Sequence, residues 1–478
     1  MDNVQPQSPP QPLSGTAVPT PVSLGVHNRL SAAEWRATLA IALLSGLRML
    51  GMFMVVPVLA SWAGQIADAT PWRIGLAIGC YGLAQALCQI PFGWLSDRIG
   101  RRLVIAVGLL LMGLGSVVAA CWPSIWGIII GRTLQGAGAI SGPLMALLAD
   151  HTRDNVRTRA MAVVGMSFGL TFALALVCGP LLARFIGIGG IFWVIAGLAM
   201  LSLGVLLWVV PAAPSRVSRD TRVLSSGLRP IWQSLPLRRL NLSILMLHLV
   251  LMLTFQALPA LLTALGWARS QHWEPYALAM GVSMLAVVPL IIVAEKRHHL
   301  RQALLGSALL LALVQGMWGI WPLQGWLVYV ALGLFFTGFN LLEAVLPSLV
   351  SRLAPPGLKG TAMGLYATSQ YLGIALGGAI GGAVGQHWGN SALFAVAALL
   401  ALVWWAACRD LPEPGTLRTV RLPWSQAGDS QAGEVYAQHL GQLPGVLAVV
   451  MARDEGCLYV RIDSRLQSAD SLRSALGD

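Results

Sequence analysis

The sequence predicts an all-α polytopic membrane protein of twelve transmembrane helices in two six-helix bundles, with a small C-terminal α+β cytoplasmic domain. Three observations carry that reading. Of the 478 residues, 56% are hydrophobic and only 10% are charged, against about 25% charged in a soluble chain. Apolar stretches of about 20 residues, each long enough to cross a bilayer as a helix, recur along most of the chain. The basic residues are also unevenly distributed: 19 of the 31 Lys and Arg fall in the N-terminal tail and alternate loops, and three in the intervening loops.

Residues 1–30 are rich in Pro, Ser and Gln and carry no apolar core, so they read as a disordered cytoplasmic tail and not a signal peptide. The spans follow at about 38–60, 74–95, 103–122, 125–149, 160–183, 188–210, 240–263, 276–294, 302–320, 325–349, 361–385 and 391–408. The first six belong to an N-terminal bundle over 31–210. A linker at 211–239 holds six arginines and four prolines, and 240–408 forms a second bundle. The excess of Lys and Arg in alternate loops is the positive-inside pattern and places both termini in the cytoplasm. The net charge of +12 therefore reflects membrane orientation, and no nucleic-acid partner is expected.

The two bundles are internally related. Arg157-Thr158-Arg159-Ala160-Met161 opens the fifth span and Lys359-Gly360-Thr361-Ala362-Met363 the eleventh, an offset of 202 residues. Asp97-Arg98 after the second span has a degraded counterpart in Glu295-Lys296-Arg297 after the eighth. Two parallel repeats with a substrate site at their interface suit a carrier.

After residue 409 the composition changes. Strands are expected at 417–422, 447–450 and 458–462, with helices at 433–443 and 468–476. The β-α-β-β-α order over 409–478 suits a ferredoxin-like domain. It contains no CxxC pair, so no metal site is expected, and the six cysteines read as small packing residues without disulfides.

The most specific motif is Gly93-Trp94-Leu95-Ser96-Asp97-Arg98-Ile99-Gly100-Arg101-Arg102, a charged hairpin between two apolar runs. Gly93 and Gly100 allow close approach and a tight turn. Asp97 can pair with arginines, and Arg101 or Arg102 with Asp150, forming a conformational latch that breaks as the halves rock. The alternative is a plain orientation determinant. Arg48, Arg132, Glu343 and His248 are candidates for proton coupling or the substrate cavity, because ionisable groups inside hydrocarbon are costly and usually functional. A carboxyl such as Glu343 can take up and release a proton there. For three of them a blander reading stays open: snorkelling for Arg132, a structural hydrogen bond for Glu343, a satisfied core histidine for His248. Gly179-Pro180 suits close packing and a kink in the fifth span. Gly373 and Gly377 belong to a run of glycines in the eleventh span that marks either a moving gate helix or a tight interface.

The 93–102 segment resembles the signature loop of the major facilitator superfamily of membrane transporters, over roughly residues 35–408. Arg132 to Gly138 resembles that family's second motif, whose arginine is linked to proton transfer. Gly169 with Gly179-Pro180 resembles the third motif, associated with antiporters, although Leu181 and Leu182 replace its following glycines. The strings Leu47 to Met54, Asn340 to Ala344, and Gly360 to Gly364 with Tyr366, Ser369 and Gln370 are similar to the YajR-like group of bacterial inner-membrane transporters. The resemblance implies a proton-driven exporter of drugs or metabolites in the inner membrane, with an appended ferredoxin-like domain. That domain would bind an unknown ligand or the carrier's own cytoplasmic face.

The function expected is secondary active transport by alternating access, with a small-molecule substrate, protons as coupling ion and lipid as surroundings. The alternatives are a proton-independent facilitator and a membrane sensor signalling through the C-terminal domain. No enzyme and no cofactor are expected: GxxxxGK[ST] and HExxH are both absent from the sequence.

Overall fold

The computed structural model describes residues 30–211, 230–320, 326–355, 358–411, 417–423, 437–452 and 457–463, together with Leu472. Its core is a bundle of long helices whose ends follow from local chemistry. Span 1 is Ala32–Ser61. A reciprocal cap starts it: the Ser31 N–H donates to Glu34 Oε2 at 2.8 Å, and the Glu34 N–H to Ser31 Oγ at 3.3 Å. Span 2 is Pro71–Ile99, capped by Thr70 with a proline in its first turn. Gly100, at φ 101°, ends it and turns the chain directly into span 3, Arg101–Cys121.

Span 4 departs from the uninterrupted helix expected at 125–149. It is two pieces, Ile125–Ala137 and Ser141–Asp150, separated at 138–140. At the break the chain packs tightly against span 3. A Cβ at Gly138 would lie 2.3 Å from the Gly108 carbonyl oxygen of span 3. Spans 5 and 6 share the continuous element Asp154–Gly204, which runs on through a π-helical turn at Val205–Val209. At about 1.5 Å per residue, 51 residues of straight helix would far exceed the bilayer. The chain reverses at Gly187, whose φ is 66°.

The second half repeats the first. Span 7 is Leu235–Ala264, span 8 Trp273–Lys296, span 9 Leu300–Ile320 and span 10 Leu327–Leu353. Spans 11 and 12 share Lys359–Cys408, which reverses at Gly389 with φ 79°. Gly187 and Gly389 are separated by the same 202 residues as Arg157 and Lys359, so the repeat extends to a turn that only glycine adopts easily. By length and hydropathy, nine helical segments among the described residues qualify as membrane spans, one of them covering both spans 5 and 6. The remaining two of the twelve do not qualify for identifiable reasons. Span 4 is broken, and span 11 mixes its apolar residues with glycines and with Thr368, Ser369 and Gln370.

The halves meet mainly on the side away from the 93–102 loop. There spans 2 and 11 touch backbone to backbone: a Cβ on Gly75 would lie 2.4 Å from the Gly378 oxygen, and one on Gly82 2.6 Å from the Tyr371 oxygen. On that side Ser61 Oγ also reaches His272 Nδ1 at 3.5 Å. Toward the loop the helices part, and among the described residues no neighbouring helix comes within 4 Å of a Cβ built on Gly93, Gly360 or Gly364. Exposed Leu87, Leu170 and Leu285 give the outer surface its hydrocarbon-facing character.

Three strands are described after the bundle: Leu417–Pro423 (β1), Val446–Ala452 (β2) and Cys457–Asp463 (β3). They pair antiparallel in the order β1-β3-β2. Helix 433–443 is described only from residue 437 onward, and the helix expected at 468–476 lies outside the described residues except at Leu472. Leu422, Leu440, Leu458, Val460, Ile462 and Leu472 form the small core.

Candidate functional site

The loop that dominates the sequence is held by one arginine. Arg101 bonds to Asp97 one turn earlier, donates through Nε to Asp150 Oδ2 at 2.7 Å, and reaches Ser96 Oγ at 3.3 Å. It thereby ties the hairpin between spans 2 and 3 to the end of span 4. Arg102 donates instead to the Leu206 and Leu207 carbonyls, at 2.8 and 3.0 Å, where the π-helical turn of span 6 leaves them available. Arg98 lies 3.9 Å from the centre of the Trp94 ring. The second half has a counterpart with the charges exchanged. Arg352, 202 residues after Asp150, ends span 10 and donates to Glu295 at 3.2 Å.

The centre of the molecule has a cationic pole and a carboxylate pole. Arg48 sits midway along span 1, 3% exposed, and donates to the hydroxyls of Tyr81 at 3.4 Å and Tyr371 at 3.1 Å. Tyr371 belongs to span 11, so this bond crosses between the halves. Its hydroxyl also lies 2.9 Å from Ser141 Oγ in span 4. Arg132 is 1% exposed and does not snorkel to the surface. It donates to Gln135 Oε1 at 3.1 Å, and its guanidinium stacks 4.3 Å from the centre of the Tyr81 ring. Gln135 is held in turn by Ser116 at 2.8 Å.

The other pole lies in the second half. His248 Nδ1 is 3.2 Å from the Ile244 carbonyl oxygen, which only accepts, so Nδ1 carries a hydrogen. Its Nε2 faces Gln370 Nε2 at 2.8 Å and Glu343 Oε1 at 3.5 Å. A neutral His248 accepts there from the Gln370 amide, while a protonated one donates toward Glu343. The Glu343 side chain is one-third exposed, and the hydroxyl of nearby Tyr366 has no hydrogen-bond partner among the described residues.

Aromatic rings lie between the poles. Phe172 of span 5 packs on Phe53 at 4.7 Å and crosses the interface to Phe339 at 5.3 Å, and Phe339 stacks edge-on to His248 at 5.8 Å. Glycines set the approach of the surrounding helices. A Cβ on Gly373 or Gly377 would meet span 7 at the Leu245 or Leu249 oxygen, 2.2 and 2.8 Å away, and one on Gly179 would meet the Met54 oxygen at 2.4 Å. Gly378 and Gly382 face span 2 instead, so the glycines of span 11 form two stripes. One packs the half together and the other joins the halves.

Such a core, polar at the junction of two related six-helix bundles and apolar outside, is the architecture of a carrier. The sequence profile of the Major Facilitator Superfamily matches residues 41–378 and 296–433. The chain is 40% identical over 449 residues, 94% of its length and 98% of the relative's, to the inner membrane transport protein YajR of Escherichia coli (strain K12). This protein belongs to the major facilitator superfamily. Within the superfamily it groups with YajR, as a multi-pass inner-membrane transporter and not an enzyme. It is 27% identical over 339 residues to the multidrug resistance protein MdtH of Yersinia pestis (strain Pestoides F), covering 69% of this chain and 81% of that one. Two solved structures share the superfamily fold. A D-xylose–proton symporter aligns with TM-score 0.65 at 16% identity, covering 80% of this chain and 98% of its own. The human organic anion transporter MFSD10 aligns with TM-score 0.58 at 22% identity, covering 79% and 99%.

Sequence reasoning singled out Arg48, Arg132, His248 and Glu343 but not the partners that join them. Tyr81, Tyr371, Gln135 and Ser141 carry no charge, and tyrosine and serine are common inside membrane helices. Gln135 and Ser141 at least share span 4 with Arg132, whereas Tyr81 and Tyr371 come from spans 2 and 11, which carry neither arginine.

Proposed function

We propose that this superfamily member is a proton-coupled carrier that exports small organic molecules by alternating access. The observation that carries the reading is the His248–Glu343 pair, an ionisable pair inside the bundle with room for one mobile proton and a partly exposed carboxyl. The 27% identity to a multidrug resistance protein favours export. Both termini face the cytoplasm in this reading, following the basic loops. The conformation described is then closed at the outer ends of spans 2 and 11 and parted toward the cytoplasm. Glu343 and His248 load or release the proton, Arg101 with Asp97 and Asp150 acts as the latch, and residues 409–478 form an accessory ferredoxin-like domain.

The test is proton flux in proteoliposomes of the purified protein as dyes, drugs and sugars are added in turn. A compound that triggers flux in wild type but not in Glu343→Gln supports coupling through this pair. Flux of the same size in the variant removes Glu343 from the mechanism.

A further inference from the structure

The His248–Glu343 pair engages neither Arg48 nor Arg132 directly. Both are buried, and among the described residues neither has a carboxylate partner. The partners they do have, two tyrosine hydroxyls, a glutamine oxygen and an aromatic face, solvate a cation without neutralising it. Unused donors remain: Arg48 Nε and Arg132 Nε lack hydrogen-bond partners, as does the hydroxyl of Ser45, one turn before Arg48 on the same helix. A buried cation without a counter-charge is costly, and a guanidinium retains a fork geometry that matches an acidic head group.

We propose that the substrate is an amphipathic organic anion, its acidic head seated at Arg48 and Arg132 and its apolar body against Phe53, Phe172 and Phe339. This rests on the central site being the one the carrier uses. Three features converge on it. The charge is supplied by the cationic pole, and the apolar wall by Phe53 of the same span with Phe172 and Phe339. Tyr371 connects the arginine to spans 4 and 11, so occupation of the head site is felt in both halves. Carboxylate and phosphate heads share the required chemistry, several acidic oxygens that accept N–H bonds.

Isothermal titration calorimetry on the purified full chain tests it with four probes that share one ring system: 2-naphthoate, 2-naphthyl phosphate, 2-naphthylmethanol and 2-naphthylmethylammonium. The expected result is binding of one or both acids, with the neutral and cationic probes at least about tenfold weaker; which acid binds distinguishes the two head groups. Arg48→Gln and Arg132→Gln should weaken that acid by about tenfold or more, while Arg48→Lys, which keeps the charge but loses the fork, should weaken it less than Arg48→Gln. Tyr371→Phe, which removes one oxygen, provides a milder variant if the arginine changes prevent folding, and should weaken the acid several-fold. Preferential binding of the ammonium probe, binding of none of the four, or acid binding indifferent to all these substitutions would overturn the proposal. The readout involves no proton movement, so a failure of proton coupling in proteoliposomes leaves this result standing, and the reverse is also true.

Discussion

At the scale of single residues, this core departs from what a lipid-embedded bundle needs for stability. Four ionisable side chains, Arg48, Arg132, His248 and Glu343, occupy positions where an apolar residue would cost nothing. Glu343→Gln keeps the shape and removes the titrating oxygen. Transport assayed across a pH series should lose its proton dependence, and an unchanged pH profile counts against Glu343. Asp97→Asn acts elsewhere. It removes one of two carboxylates from Arg101 while Asp150 remains at 2.7 Å. The pair is partly exposed, so stability should fall by about 1 kcal/mol or less. Turnover should fall several-fold if the ion pair biases the rocking equilibrium. Normal turnover at normal expression would refute the latch. The candidates were legible in the sequence because charge in an apolar run is conspicuous. Their neutral partners were not, because a tyrosine that bonds a guanidinium and one that fills a groove look alike in sequence.

At the scale of elements, span 11 is the joint between the halves. Its two glycine stripes let one face lie on span 7 and the other on span 2 at backbone distance. Replacing glycine by a better helix former usually stabilises a helix by about 1 kcal/mol. Here the opposite is expected. A Cβ at Gly378 would come within 2.5 Å of the Gly79 nitrogen, so Gly378→Leu should force spans 2 and 11 apart and favour the state open on that side. Spin labels at the ends of the two spans should report a longer distance in the variant; an unchanged distribution would show that the contact does not set the state. The run of glycines was visible in the sequence, but its division into two stripes was not. Which face of a helix meets which neighbour depends on the packing of both.

At the scale of the whole molecule, two copies of one six-helix plan carry different chemistry. The repeat shows in the turns at Gly187 and Gly389, and in the Asp150 and Arg352 positions, which hold ion pairs of reversed sign. If the C-terminal domain is accessory, deletion of residues 416–478 should leave substrate transport in proteoliposomes within about twofold of wild type, because the proposed substrate and proton sites lie in the bundles. Loss of all transport at normal expression would instead make the domain part of the cycle. The sequence by itself determined the class of molecule, the number of spans, the signature loop and the ionisable candidates. Each depends on composition or short-range pattern, and the cost of exposing polar groups to lipid leaves little else possible. Only the tertiary structure decided that span 4 is broken against Gly108 and that Arg101, and not Arg102, holds Asp150. It alone joined Arg48 to Tyr371 across 323 residues of chain and His248 to Gln370 across 122. Contacts at such separations are set by how helices cross, and a linear pattern of apolar residues does not encode which helices cross where.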